Sequence, residues 1–449
     1  MSNVFNFTFV PWFRSVAPYI HMHRGKTFVV AIAGEAIAAG KLQNLAQDLA
    51  LIQSMGVKIV LVHGFRPQVN EQLRAKGHEP QYSHGMRITD EVALDCAQEA
   101  AGQIRYEIEA AFSQGLPNTP MAGATVRVIS GNFITARPVG IVDGVDFQHS
   151  GLVRRVDVMG IAQTLQAGSL VLLSPFGFSP TGEAFNLTME EVATSVATAL
   201  QADKLIFVTE VPGIRIRPQE PEGEDNPIDT ELPLDLARNL LSQLPPAHQP
   251  SDIGFYLQHC VKACEAGVER SHILPFAVDG ALLLEIYMHD GIGTMVVDEK
   301  LESLRQASHE DVGGILQLIE PFENDGTLVK RSRTEIERDI GQYTVVEHDG
   351  VIFACAALYP YPENRTGEMA ALTVSPQSQG QGDGEKVLKR IEHQARAQGL
   401  DSIFVLTTRT MHWFLKRGFV PVDLDWLPEA RKRKYNAGRG SKVLVKKLV

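Results

Sequence analysis

Cysteine is scarce, with four residues in 449. That is too few for a disulfide framework in a chain of this length. Cys96 and Cys355 stand alone and read as small apolar residues. His259, Cys260 and Cys264 form one cluster, HCVKAC. A metal site needs more ligands at recognisable spacing, so this cluster reads as one face of a packed helix and no metal is expected. Long uncharged apolar runs are missing too, and nothing approaches the roughly 20 residues needed to span a bilayer. The N-terminus has no basic stretch ahead of its apolar residues, which argues against a signal peptide. Reduced thiols and a cytoplasmic location are therefore expected. Nor is there an excess of positive charge. Lys and Arg number 42 against 53 Asp and Glu, a formal net charge of -11. A net acidic chain is a poor default partner for nucleic acid, because that affinity comes mainly from cations meeting phosphates.

What is present is ordinary globular composition, 44% hydrophobic and 21% charged. The length suggests two domains. Residues 1–24 read as an amphipathic helix with Phe13, Val16, Ala17 and Ile20 on one side. Residues 25–297 alternate strands (28–33, 58–63, 125–130, 170–174, 205–209) with helices (42–55, 90–111, 189–201). This order predicts an α/β domain, a mostly parallel sheet sandwiched by helices, with ligands at the carboxyl ends of the strands. Residues 217–233 hold six acidic residues and four prolines and read as a solvated loop. Residues 298–307 read as a linker. From 308 to 449 the order is α+β: helices at 311–319 and 334–340, strands at 343–347 and 351–358, then strand 369–374, helix 384–397, strand 402–407, helix 411–417 and strand 443–445.

The most informative stretch follows the strand ending at Val374. Gln379-Gly380-Gln381-Gly382-Asp383-Gly384 leads directly into an amphipathic helix. Glycines let backbone amides approach an anion closely, and a helix start adds unpaired N–H groups and a positive dipole end. A pyrophosphate is the physical expectation. With WFLKRGF at 413–419, this segment resembles the GCN5-related N-acetyltransferase family. The resemblance implies a coenzyme A or acetyl-CoA cosubstrate held by Ala371, Leu372, Val374, Gln379, Gly380, Gly382 and Gly384, with the preceding strand splayed from its neighbour. The family's usual tyrosine is replaced by Trp413-Phe414, which rules out a tyrosine acid there. An incoming amine must lose a proton, which a nearby carboxylate can take. Glu368, at the mouth of the cofactor strand, is assigned as base. Thr407, ending the next strand, is assigned as the hydroxyl near the sulfur.

The basic tail 431–449 has eight cations and no acid, and 330–333 is a second basic cluster. A solvated surface, a nucleic-acid patch and a dicarboxylate pocket are the three readings of them, and arginine forks suit the last.

The first half resembles the amino acid kinase family over about 25–294. The likeness rests on FVVAIAGEAI (28–37), VHGFRPQVN (62–70), GMRITD (85–90), NLTMEEVA (186–193) and ADKLIFVTEVPGI (202–214). Active members carry a strand lysine where Ala31 stands, a glycine pair where Ala33-Gly34 stand, and further glycines where Phe65 and Arg66 stand. Glu190 replaces their aspartate. Phosphoryl transfer depends on placed cations and backbone donors, so a catalytically dead kinase-like domain is expected. SHILPFAVDGALLLEIYMHDGIGT (271–294) resembles the arginine-inhibited members. It implies an L-arginine site formed by Tyr19, His272, Glu285 and Gly291. The fusion of the two domains resembles the bacterial N-acetylglutamate synthase family. That implies acetyl transfer to L-glutamate, the first step of arginine biosynthesis, with Lys330, Arg331, Arg431, Arg439 and Ser441 holding the carboxylates. It also implies L-arginine as inhibitor and a homo-oligomer. The rivals are an acetylglutamate kinase or a bifunctional kinase–synthase, a non-enzymatic arginine sensor and an acetyltransferase for another amine.

Overall fold

The computed structural model describes residues 2–114, 126–215, 228–244, 253–288, 291–298, 302–348, 350–376, 378–379 and 382–448. The chain separates into two compact units, 1–299 and 300–449.

The first unit is built on an eight-stranded sheet. Its centre is Arg270–Pro275, Lys204–Thr209, Thr27–Ile32, Lys58–His63 and Leu170–Leu173, all parallel. Thr294–Val297 runs antiparallel beside Arg270–Pro275. Strands such as LIFV are buried on both faces, as parallel strands covered by helices must be. One face packs the helices Val158–Gln166, Met189–Leu200 and Ile253–Glu265. The other packs Leu42–Ser54 and Glu91–Ser113. Four further strands, Ile134–Pro138, Gly151–Val156, Phe176–Phe178 and Ala184–Asn186, make a small second sheet that the sequence reading does not contain.

Three local expectations change. In the leading helix Ser2–His23, Val16 is buried and Tyr19 and Ile20 are half-buried, whereas Phe13 and Ala17 are exposed. The inward stripe is therefore Val16, Tyr19, Ile20 and His23, at helical spacing. Of the acidic loop, residues 217–227 lie outside the described residues, and Glu231–Pro233 forms the edge strand. The segment read as a linker contributes strand Glu302–Gln306. It joins the sheet of the second unit because Tyr343–His348 offers it an open edge, and Arg305 ties it to Asp311 and Glu347.

The second unit has seven strands in the order Glu302–Gln306, Tyr343–His348, Val351–Tyr361, Thr366–Val374, Ser402–Thr407, Lys442–Lys447 and Val420–Val422. Helix Asp383–Ala397 covers one face and helices Val312–Asn324 and Arg333–Asp339 the other. Among the described residues no helix is long and apolar enough to cross a membrane.

Candidate active site and effector site

Strand Thr366–Val374 runs parallel to Ser402–Thr407, but the ladder covers only Thr366 to Glu368 against Ser402 to Phe404. Beyond Glu368 the two strands part. On its other side the same strand pairs with Val351–Tyr361 through an irregularity opposite Ala371 and Leu372. Ala371 has φ 55°, a left-handed conformation that side chains with a Cβ avoid. The sequence ALTV thus makes a fork whose main chain, along one arm, has no partner strand. A buried backbone group seeks a partner, so the fork suits a ligand that carries amides.

The loop after the fork lies at the start of helix Asp383–Ala397. Gly382 caps it at φ 96°, with nothing within 4 Å of where a Cβ would point. At Gly384 a Cβ would stand 3.2 Å from the Trp413 ring and 3.3 Å from Val374. Trp413 is a wedge that seats the helix, with the Arg417 guanidinium 3.9 Å from its ring centre. Gln379 Nε2 donates to the carbonyl of Val374 at 3.4 Å. Gly380, also expected here, lies outside the described residues, as does Gln381.

Glu368 sits at the closed end of the fork and is buried. Arg431 Nε donates to its Oε2 at 2.6 Å, and Nη2 donates to Oε1 at 3.0 Å. Tyr361 OH stands 3.5 Å from Oε2. In register with Glu368 lie Tyr359 on one side and Phe404 on the other. Burial pushes the Tyr361 phenol up to about 12, with the Glu368 charge adding to it. Burial also raises Tyr359, where Arg331 acts against the shift and Glu368 with it. Arg331 and Glu368 thus act on one phenol. Sequence reasoning missed both tyrosines. The only signal was their alternation in LYPY, and that becomes informative once the register is known.

Thr407 ends the opposite arm. Its Oγ1 accepts the Thr410 N–H at 3.1 Å and lies 2.9 Å from Thr410 Oγ1. Strand alternation groups Thr407 with Ile403 and Val405, which pack on one face. Glu368 belongs with Phe404 and Tyr361 on the other. A chain threading the fork would meet the hydroxyl from one face and the carboxylate from the other.

The remaining basic residues converge in part. Arg439 Nη2 donates to the carbonyls of Gly326 and Thr327, each at 3.0 Å. Arg409, unanticipated, pairs with Asp325 at 3.1 Å. Together they hold the loop 325–331. Lys330 is exposed, while the Arg331 N–H donates to Glu323 at 2.8 Å. Ser441 precedes Lys442, the register partner of Thr407, and its carbonyl accepts the Tyr435 hydroxyl at 2.9 Å.

In the first unit, His272 and Glu285 are buried with Nδ1 2.7 Å from Oε1. Glu285 Oε2 accepts the amides of Ile292 at 2.7 Å and Gly293 at 3.2 Å. Only glycine fits this turn. A Cβ on Gly291 would lie 2.8 Å from Glu285 Oε2, and one on Gly293 would lie 2.0 Å from the Ile273 carbonyl. Lys204 Nζ, 3.4 Å from His272 Nε2, joins the group unpredicted. So does His23, pushed down to about 3 mainly by burial and next by Lys204. Tyr19 packs half-buried on the same core that holds Tyr287.

At the carboxyl ends of the central strands, Ala31 is fully buried and Ala33 and Gly34 line a cavity with Gly64, Phe65, Arg66, Arg87, Asn186 and Glu190. Arg66 Nε donates to Glu35 at 3.0 Å, and burial raises Glu190 with Arg66 opposing. Phe65 is buried against His63. His259, Cys260 and Cys264 are buried on Ile253–Glu265, with His259 3.0 Å from Thr194 Oγ1. No metal-binding group occurs among the described residues.

Comparison with known proteins decides the family. Residues 26–275 match the amino acid kinase family and residues 312–419 the acetyltransferase (GNAT) family. The amino-acid acetyltransferase of Ralstonia nicotianae is 58% identical over 440 residues, which is 98% of this chain and 95% of that one. The chain belongs to the amino-acid acetyltransferases. The Azotobacter vinelandii member is 48% identical over 98% of this chain and 99% of its own. N-acetylglutamate synthase from Neisseria gonorrhoeae, complexed with coenzyme A and L-arginine, is 38% identical. It aligns with a TM-score of 0.82 over 98% of this chain and 99% of that one. The same enzyme complexed with coenzyme A and N-acetyl-glutamate is 39% identical, with a TM-score of 0.61 over 98% and 100%. Both halves of the fold and the transferase class expected from sequence hold for this family.

Proposed function

We propose that the chain transfers the acetyl group of acetyl-CoA to the α-amine of L-glutamate, giving N-acetyl-L-glutamate and free coenzyme A. The observation that carries this is the fork closing at Glu368, with a carboxylate at its apex and Thr407 on the opposite arm. The gonococcal enzyme's complexes support the choice of cosubstrate and amino acid. Amides along Ala371, Leu372 and Val374 hold the thioester arm. Gln379, Gly380, Gly382 and Gly384 take the diphosphate. Glu368 accepts a proton from the substrate ammonium. The amine nitrogen then attacks the thioester carbonyl, the C–N bond forms as C–S breaks, and Thr407 offers its hydroxyl to the departing thiolate. Arg431, Lys330, Arg331, Arg439 and Ser441 hold the two carboxylates.

The unit at 25–297 acts as regulator. Phe65 and the Arg66–Glu35 pair take the place of glycine backbone, so phosphoryl transfer is absent. L-arginine presents its guanidinium to Glu285, beside His272, Gly291 and Tyr19, and inhibits by linkage between the two sites. Exposed Trp12 and Phe13 on the leading helix suit contact with other copies in a homo-oligomer, and the enzyme works in the cytoplasm. Thiol release from acetyl-CoA, measured with and without L-glutamate and with added L-arginine, tests the reading. Glutamate-dependent release suppressed by arginine is expected. Release without glutamate dependence, or sustained ADP formation from ATP and N-acetylglutamate, refutes it.

A further inference from the structure

The base and one substrate-binding arginine are each other's partners in this structure. Glu368 and Arg431 are 63 residues apart in sequence and meet through two parallel N–H···O bonds. Their side chains are only 11% and 17% exposed. The third nitrogen of Arg431, Nη1, donates to the Lys434 carbonyl at 3.2 Å. Every nitrogen of the guanidinium is thus engaged, and both oxygens of the base accept from it. In this state an Arg431 N–H holds one lone pair on each carboxylate oxygen.

Little water reaches this pair, so separating it would leave two poorly solvated charges uncompensated. One kind of molecule can replace both halves at once. An α-amino acid carries a cation and an anion two bonds apart. Its ammonium compensates Glu368 while its α-carboxylate takes the Arg431 fork. We propose that the Glu368–Arg431 pair is a zwitterion gate, opened by an α-amino acid and closed to simple amines and to water. The gate rests on the acyl-transfer reading above and adds two properties to it. Specificity for an α-carboxylate is set at the base itself, leaving the second carboxylate to the basic residues around loop 325–331. The thioester is also protected when no amino acid is bound. Its hydrolysis would need Glu368 to take a proton from water as the water oxygen attacks the carbonyl carbon. The C–S bond would break, and acetate and protonated thiol would leave. With both oxygens bonded to Arg431, the carboxylate is not free to turn toward that water.

The test compares L-glutamate with 4-aminobutanoate, which has the same amine and distal carboxylate but no α-carboxylate. The full-length wild-type chain should acetylate glutamate, ignore 4-aminobutanoate and release little thiol when no amine is present. Arg431→Gln should lose glutamate turnover, narrow the preference for glutamate by tenfold or more, and raise amine-independent thiol release on the order of tenfold, part of the range a general base supplies. Adding Glu368→Gln to that variant should abolish the extra hydrolysis. Arg431→Lys keeps the charge but not the parallel fork, and should show a smaller rise in the same direction. Retained coenzyme A binding in each variant reports an intact fold. A rise in the glutamate KM with preference and hydrolysis unchanged in both Arg431 variants would overturn the gate and leave Arg431 as a plain substrate ligand. A wild-type chain that transfers acetyl to no amino acid would instead refute the acyl-transfer reading itself.

Discussion

His272 Nδ1 lies 2.7 Å from Glu285 Oε1, with both side chains almost wholly buried. Two backbone amides complete the carboxylate's partners. A guanidinium arriving here finds an ionised acceptor already oriented by the glycine turn. Glu285→Ala removes that acceptor. A hydrogen bond to a charged group contributes about 1.5–3 kcal/mol, so arginine inhibition should weaken by roughly ten- to a hundredfold while uninhibited turnover persists. Inhibition curves on the variant check this, and unchanged sensitivity would move the effector site elsewhere.

The same pair predicts acid lability. Burial, and after it Lys204, pushes His272 down from 6.5 to about 4, so the neutral ring is the folded form. Burial opposes the ionised Glu285, but hydrogen bonds from His272 and the two amides outweigh it and hold the carboxyl at about 2. Both folded values lie below the unfolded ones. The Glu285 contribution is full above about 4.5 and fades as pH falls toward 2. The His272 penalty grows as pH falls from 6.5 toward 4. The melting temperature of the wild type should therefore fall steadily from pH 6.5 to 3. The stability gap between wild type and Glu285→Ala should narrow below pH 4.5. A gap that widened on acidification would contradict the pairing.

At the fork, Ala371 is held at φ 55°. A left-handed L-residue costs roughly 1–2 kcal/mol, and glycine removes that strain at an entropic cost of roughly 0.5–1 kcal/mol. Ala371→Gly should therefore leave the melting temperature nearly unchanged or raise it slightly. Ala371→Val adds β-branching to a conformation such residues avoid. It should destabilise the C-terminal unit by about 1 kcal/mol or more and weaken coenzyme A binding. Calorimetry on both variants separates the two outcomes.

Legibility in the sequence followed locality. Strands 58–63 and 402–407 have the boundaries their apolar, β-branched runs suggest. The small sheet around Gly151–Val156 was invisible because its strands are short and half-buried, and Gly151 is defined by closeness to Phe185, which no local pattern encodes. Glu302–Gln306 has weak strand character and is a strand because of its neighbour and the Arg305 ties. At the candidate site, position on the strand before the glycine loop singles out Glu368, and a motif singles out Glu285. The partnership of Glu368 with Arg431 was not readable, since 63 residues separate them. Lys204 falls just before the strand read at 205–209, and only the sheet register sets it beside Arg270, two residues before His272.

Glu368 and Arg439 should fail in different ways. Glu368→Gln keeps the side-chain shape but cannot take the ammonium proton. Turnover should drop by roughly 10²–10⁴, with coenzyme A affinity nearly intact, because the amides of the fork and loop are untouched. Arg439 is neither hydrogen-bonded to nor ion-paired with Glu368. It reaches the carbonyls of Gly326 and Thr327 at 3.0 Å and so positions the loop that carries Lys330 and Arg331. Arg439→Ala therefore removes both a cation and a brace for two others. The KM for glutamate should rise by at least about tenfold, the equivalent of one charged hydrogen bond, while kcat at saturation falls much less. Steady-state kinetics that placed the Glu368 effect in KM, or the Arg439 effect in kcat alone, would reverse these assignments.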